Sequence, residues 1–256
     1  MLRSLEKHSR AKDCLNWTET SQISAVLLLR RVSSTHMRST TKTLTDSERQ
    51  QSLGEEIANS LSSGLCLLAI VAGIPFLFRS AVQRGDRLSL AGTIIFAASM
   101  VALYFTSTVY HALPKSRVKN LFLRFDHSAI FLFIAGTYTP FALGALRGNL
   151  GWTLFGLVWA SAILGIALTL FGELQNRWFS TWVYLGIGWI GLFAARSVSR
   201  HIPPEGLLGI VAGGLSYTTG VFFFIAKRRR YAHFIWHLFV AAGTACHFWA
   251  VLWYAG

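Results

Sequence analysis

The chain has 256 residues, of which 53% are hydrophobic and only 14% are charged, and its formal net charge is +13. Soluble chains carry roughly 25% charged residues, so this composition excludes most soluble globular folds and favours a membrane protein. The basic residues lie in an N-terminal tail and in short connections between apolar runs, which is typical of loops against anionic headgroups and argues against nucleic-acid binding.

The first segment, residues 1–48, is polar, basic and rich in Ser and Thr, and it predicts a disordered tail. Its apolar run from Ile23 to Leu29 is too short for a membrane span, which needs about 20 residues. No small-residue cleavage site follows the run, so a secretory signal is not predicted. An alternative interpretation is that translation starts at Met37. The membrane domain is expected to cover residues 49–256.

Seven apolar runs follow the tail, and each is long enough for a membrane helix. The predicted spans are 57–78, 88–111, 126–146, 150–171, 178–195, 207–226 and 232–255. The sequence therefore predicts an all-α protein that is a seven-transmembrane helix bundle. The tail and the even-numbered connections carry more Lys and Arg than the odd-numbered ones, which predicts a cytoplasmic N-terminus and an external C-terminus.

Ionisable side chains within spans are functional candidates, because a charged group is costly in a bilayer. Odd-numbered helices begin, and even-numbered helices end, on the same side of the membrane. Candidates at such positions are Glu56 in the first helix, His111 in the second, Asp126 in the third, and His233 and His237 in the seventh. We therefore expect these five residues at one end of the bundle.

His233 and His237 are four residues apart, so they lie on one side of a helix and suit two imidazole ligands on one metal. With a third histidine from another helix, they would form a three-histidine zinc site that has an open position. Ordinary packing of the two rings is the alternative. His127 is expected to be solvated near the headgroups, and His247 to be packed or to face a pore.

Several segments together resemble the bacterial hemolysin III family, within the superfamily of progestin and adiponectin receptors. The resemblance covers about residues 55–256. The segments are Glu55-Glu56-Ile57-Ala58-Asn59-Ser60, Ser107-Thr108-Val109-Tyr110-His111, Phe125-Asp126-His127-Ser128, Gly136-Thr137-Tyr138-Thr139-Pro140 and His233-Phe234-Ile235-Trp236-His237.

The resemblance implies a zinc ion that is held by His111, His233 and His237. It implies catalytic roles near the metal for Asp126 and for Ser107. Because the superfamily includes ceramidase-like amide hydrolases, it also implies membrane lipids as partners and a lipid amide or ester as substrate. The expected location is the cell membrane, as a multi-pass protein of the bacterial inner membrane.

One stretch departs from the family pattern. Members of the family usually carry Thr-His-Gly after the Glu-x-x-Asn of the first helix, whereas this chain has Ser62-Ser63-Gly64. The missing histidine is not one of the three expected ligands, so the metal site is expected to persist. Two other functions stay open at this point. One is a pore-forming cytolytic protein, and the other is a membrane receptor or sensor in which zinc is structural.

Overall fold

The computed structural model describes residues 49–172, 177–226 and 229–256, and within these ranges every regular element is a helix. The all-α prediction is therefore confirmed for them. The predicted disordered tail and the alternative start at Met37 fall on residues 1–48, which lie outside the described residues. The helices are α1 Leu53–Gln83, α2 Arg87–Ala112, α3 Arg117–Leu143, α4 Asn149–Phe171, α5 Arg177–Gly188, a 3₁₀ helix Ile190–Ala194, α6 Ala195–His201, α7 Pro204–Ile225 and α8 Ala232–Tyr254.

Six helical segments of the described chain are long and apolar enough to cross a bilayer. They are α1, α2, α4, the segment Trp178–His201, α7 and α8. The remaining long helix, α3, has 27 residues, or about 40 Å of length, but it contains Lys119, Arg124 and Asp126. The protein is therefore multi-pass, while the count of seven spans and the orientation stay predictions.

The outer surface of the helices is apolar. Leu65, Leu164, Leu208 and Phe222 are all at least 60% exposed. Contiguous apolar surface of this kind is unfavourable in water, by roughly 25 cal/mol per Å². These helices are therefore suited to contact with lipid chains.

Side-chain caps fix where the first three helices begin. Ser52 and Glu55 form a capping box at α1, and Asp86 accepts a hydrogen bond from the Ser89 N–H at α2. At α3 the hydroxyl of Ser116 accepts from the Lys119 N–H at 3.1 Å. Because of this cap, α3 begins at Arg117 and not at the predicted residue 126. Asp126 consequently lies more than two turns inside the helix.

The helices form a ring that surrounds an internal cavity. In the order α4, α3, α2, α1, α8 and α7, each packs against the next, and α5 lies between α4 and α7 with smaller contacts to both. The buried core between α2, α3 and α8 is aromatic and aliphatic, with Phe96, Met100, Phe133 and Val251 all at most 4% exposed.

The fifth span is interrupted, although the sequence predicts one helix over 178–195. The α-helix ends at Gly188, and a 3₁₀ turn precedes α6. The Tyr138 hydroxyl compensates the broken backbone pattern, because it donates to the Gly188 carbonyl at 2.6 Å and accepts from the Gly191 N–H at 3.0 Å. A break at membrane depth is tolerated where the protein satisfies the released polar groups.

Glycines allow close approach at some helix contacts but not at others. A Cβ at Gly220 on α7 would lie 2.8 Å from side-chain carbons of Phe239 and of Trp236 on α8. At Gly186 a Cβ would meet nothing within 4 Å. Gly220 therefore allows α7 and α8 to pack closely, whereas Gly186 has no such role.

Gly220→Ala is expected to destabilise the protein by about 1–3 kcal/mol, because the added methyl group forces α7 and α8 apart. The thermal unfolding midpoint in detergent should fall by about 2–10 °C. Gly186→Ala is the matched control, and its midpoint should stay the same or rise, since alanine favours helix by up to about 1 kcal/mol over glycine. Equal midpoints for the two variants would contradict the packing role of Gly220.

Candidate metal centre

Three histidines meet at one end of the bundle, where α2 ends and α8 begins. Each ring offers one nitrogen, and these nitrogens lie within 4.8 Å of one another. The ring centroids of His111 are 5.1 Å from His233 and 5.2 Å from His237, and the latter two rings are 4.7 Å apart. The spacing of four residues on α8 brings the last two together on one side of the helix. This cluster can hold a metal ion.

Hydrogen bonding determines which nitrogen of His111 faces the cluster. Its Nδ1 lies 2.8 Å from Oε2 of Glu56 on α1, so Nδ1 carries the proton that the carboxylate accepts. Its Nε2 is buried and, within the described ranges, makes no hydrogen bond. An imidazole nitrogen buried without a partner is unfavourable, and a metal ion bound to its lone pair would relieve this cost.

Two serines of α1 hold the ring of His237. Nδ1 of His237 lies 3.2 Å from the Ser62 hydroxyl and 3.1 Å from the Ser63 hydroxyl. Ser63 also lies 3.0 Å from the hydroxyl of Ser107 on α2. With Nδ1 engaged by hydroxyls, Nε2 of His237 is the nitrogen that can bind a metal.

Asp126 of α3 is joined to the cluster through these hydroxyls. The residue is only 9% exposed, and its carboxylate hydrogen-bonds with the Ser107 side chain. A chain of hydrogen bonds therefore runs from His237 through Ser63 and Ser107 to Asp126. The arrangement brings a carboxylate that can accept a proton next to the three imidazoles.

The cluster opens into the internal cavity, which has a volume of about 420 Å³. The polar end is lined by Ser62, Ser63, Ser107, Asp126, His233 and His237. Away from this end the lining is mainly aliphatic and aromatic, and it reaches Leu146, Leu154, Ile202 and Leu207. The cavity is within the usual range for a bound small molecule and has polar groups mostly at one end.

The two histidines that the sequence analysis set aside lie elsewhere in the cavity wall. His247 is buried, and its Nε2 contacts the carbonyl oxygen of Ile210 at 3.3 Å. It comes ten residues after His237, or about 15 Å further along α8. His127 is half-buried, and its backbone carbonyl accepts a hydrogen bond from Tyr184. His127 is therefore only partly exposed, because Tyr184 of α5 contacts this part of α3.

Sequence reasoning missed three residues that shape the centre. Ser62 and Ser63 were noted only as a departure from the family pattern, yet they contact His237 directly. Lys119 falls between the predicted spans 88–111 and 126–146, whereas in the structure it lies in the first turn of α3 and pairs with Glu56 at 3.0 Å. The Ser116 cap three residues before Lys119 was the one sequence signal that could have placed it in a helix.

Comparison with known proteins gives consistent results over the membrane domain. The model of the family "Haemolysin-III related" matches residues 52–248. A Hemolysin-3 homolog of Bacillus subtilis is 38% identical over 200 residues, which cover 78% of this chain and 94% of the relative. Hemolysin-3 of Bacillus cereus is 37% identical over 204 residues, which cover 80% of this chain and 93% of the relative.

A more distant relative is the human monocyte to macrophage differentiation factor, which is 27% identical over 207 residues, or 77% of this chain and 83% of the relative. The matched region contains the first helix with its Glu and Ser residues, and the HxxxH pair of α8. On this evidence the chain belongs to the haemolysin-III related family.

Proposed function

We propose that the protein is a zinc-dependent hydrolase of lipid amide or ester bonds within the membrane. The observation that carries the proposal is the position of three clustered imidazoles at the polar end of an apolar cavity. Three histidines with an open fourth position are the ligand set of a catalytic zinc site. The buried Nε2 of His111, which lacks a hydrogen bond in the described part of the chain, supports a metal at this point.

The geometry of the donors fits zinc. Nitrogens in a tetrahedral zinc site lie about 2.0–2.1 Å from the ion, and therefore about 3.4 Å from one another. The three ring nitrogens are within 4.8 Å, so small rotations of the side chains bring them to that distance. When bound, zinc supplies a Lewis acid that polarises a carbonyl group and makes water acidic enough to ionise near pH 7.

The residues around the cluster have the chemistry that hydrolysis requires. Asp126 orients the attacking water and accepts its proton, since its carboxylate lines the same end of the cavity as His233 and His237. The Ser107 hydroxyl hydrogen-bonds with Asp126 and lines the cavity beside it. Once Asp126 has taken up the proton of the water, it no longer needs the Ser107 proton, which can then be donated to the oxyanion. Asp126 then donates the proton that it took from water to the leaving amine or alcohol.

The apolar part of the cavity supports a lipid substrate. Each methylene group that it buries contributes about 0.8 kcal/mol to binding. A chain bound there would place its carbonyl group at the polar end, near the imidazoles and Asp126. The lining of this part is mainly aliphatic and aromatic, so it favours the apolar chain of a lipid over water.

Membrane topology belongs to the same proposal. We take α3 as an additional span, because it is long enough and because Lys119 and Asp126 are buried within the protein. The exposed Arg124 donates to the carbonyl oxygen of Leu170 at 3.0 Å. The larger number of basic residues in the even-numbered connections supports a cytoplasmic N-terminus, which would put the metal centre on the cytoplasmic side. The location is then the bacterial inner membrane.

The proposal is tested with purified protein on a panel of ceramide-type and phospholipid substrates. Hydrolysis should stop after treatment with a chelator and return after addition of one equivalent of zinc. Magnesium should not restore it, because three imidazoles favour zinc over hard cations. Zinc-loaded protein that hydrolyses none of the panel would refute the hydrolase function.

Structural zinc in a receptor or sensor is the second candidate. It is favoured by the placement of the ligands, since His111 and the pair on α8 join two helices that are far apart in the sequence. In that case, removal of zinc lowers the unfolding midpoint but changes no turnover. Cytolysis, which the name Hemolysin-3 states of the Bacillus cereus relative, would instead appear as zinc-independent leakage of liposomes.

A further inference from the structure

A partly buried ion pair lies behind the metal centre. The two carboxylate oxygens of Glu56 have different partners, since Oε2 lies 2.8 Å from Nδ1 of His111 and Oε1 lies 3.0 Å from Nζ of Lys119. One side chain of α1 therefore connects the end of α2 with the beginning of α3. The side chain of Glu56 is only 22% exposed and that of Lys119 only 11%.

The ammonium group of Lys119 is held on several sides. It donates to the carbonyl oxygen of Leu113 at 3.0 Å and lies 4.8 Å from the ring centroid of Tyr110. A charge at this depth is tolerated only when it is paired and hydrogen-bonded. Lys119 thus occupies a fixed position, and it fixes the carboxylate of Glu56 in turn.

The carboxylate selects the tautomer of His111. A carboxylate accepts hydrogen bonds, so the bond at 2.8 Å requires a proton on Nδ1 and leaves the lone pair on Nε2. The amide nitrogen of Asn59 is also near Nδ1, but at 3.5 Å it is at the limit of a hydrogen bond. Glu56 is therefore the group that orients the ring.

We propose that Glu56 and Lys119 are positioning residues of the metal centre, which hold His111 with its Nε2 lone pair aimed at the metal. The inference rests on the proposed metal site, and it assigns the two residues no contact with substrate. Glu56 orients the imidazole and increases its basicity, as carboxylates do behind metal-bound histidines. Lys119 acts through Glu56, because it keeps the carboxylate in place and balances its charge.

Glu56→Gln is expected to weaken zinc binding by about 10–100-fold, the usual effect of losing such a carboxylate. The amide lacks the negative charge. If its oxygen accepts from His111, its NH₂ group faces the ammonium group of Lys119, and two donors cannot form a hydrogen bond. Affinity is measured by competition with chelators of graded strength. The absorption spectrum of the cobalt-substituted protein should shift as well, because the ligand field at His111 changes.

Glu55→Gln is the matched control. Glu55 is the preceding residue and is more buried. Its Oε1 accepts from the backbone N–H of Tyr231 and its Oε2 accepts from Ser52, so glutamine keeps one of these two acceptors and removes the same charge as in Glu56→Gln. Zinc affinity should therefore change by less than about threefold. Unfolding of the metal-free variants, measured in excess chelator, separates effects on the fold from effects on the metal.

Lys119 provides a second test that does not depend on Glu56→Gln folding well. Lys119→Met should weaken zinc binding in the same direction, and Lys119→Arg should retain most of the affinity because it keeps the charge. The double variant Glu56→Gln/Lys119→Met should lose little more than Glu56→Gln alone, since Lys119 acts through the carboxylate. Additive losses would overturn this chain of action.

The outcomes separate this inference from the proposed function. If the wild type and Glu56→Gln bind zinc at the three histidines with equal affinity, only the positioning role is overturned. Wild-type protein that binds no zinc overturns both. Protein that binds zinc and loses it in Glu56→Gln, yet hydrolyses no lipid, supports the positioning role and contradicts the hydrolase.

Discussion

Purified His111→Ala protein should contain almost no zinc, while the wild type should contain about one ion per chain. The side chain is one of the three clustered imidazoles, and it is the one whose ring is held by a carboxylate. Structural zinc sites bind with about 10–16 kcal/mol, so one ligand of four contributes roughly 2.5–4 kcal/mol. Its loss should weaken binding by about 100- to 1,000-fold.

Metal content after dialysis against a chelating buffer is the direct measurement. His247→Ala is the matched control, because His247 is a buried histidine of the same cavity that does not belong to the cluster. It should keep its zinc. Full occupancy in His111→Ala would mean that the ligands are assigned incorrectly.

Thermal unfolding gives an independent reading of the same site. A ligand that binds only the folded state stabilises it, by about 2.7 kcal/mol at a concentration 100 times the dissociation constant. Chelator should therefore lower the unfolding midpoint of the wild type and of His247→Ala. It should have no effect on His111→Ala, which has little metal to lose.

The location of the centre could be predicted from the sequence because it depends only on the order of the helices. Helix ends alternate between the two sides of the bundle, so Glu56, His111 and the histidines of α8 had to meet if the intervening helices crossed. The spacing of His233 and His237 gave their common side on α8. The hydropathy pattern likewise gave the approximate limits of the helices.

Other features depend on contacts that no pattern along the chain encodes. The break after Gly188 persists because the hydroxyl of Tyr138, some 50 residues earlier, bonds to both sides of it. A lysine is usually exposed in a loop. Lys119 is buried here because its ammonium group pairs with Glu56 and donates a hydrogen bond to the carbonyl oxygen of Leu113. Such tertiary contacts override the local signal.

The two serines of α1 show how one substitution in a motif can be interpreted only in three dimensions. In sequence, Ser63 stands where the resemblance leads one to expect a histidine. In the structure it lies between His237 and Ser107, and so it joins the imidazole cluster to Asp126. A hydroxyl can both donate and accept, which lets it connect these two side chains.

Asp126→Asn should reduce lipid hydrolysis by about 100- to 10,000-fold while zinc stays bound. Loss of a general base has this magnitude. The asparagine retains the size of the carboxylate and can still accept the hydrogen bond from Ser107, but it cannot take a proton from water. The measurement is turnover at saturating substrate together with zinc content, since turnover should fall in this variant while zinc content does not.

Ser107→Ala is the graded comparison for that result. It removes the hydroxyl that holds Asp126 and contacts Ser63, but it leaves the carboxylate itself. Turnover should fall by less than in Asp126→Asn, because positioning is impaired while the base remains. Asp126→Asn protein that keeps both zinc and wild-type turnover would show that Asp126 is not the base. Equal loss of zinc and turnover in Asp126→Asn would instead assign Asp126 to holding the metal. A base that is not a metal ligand can be removed without releasing the ion.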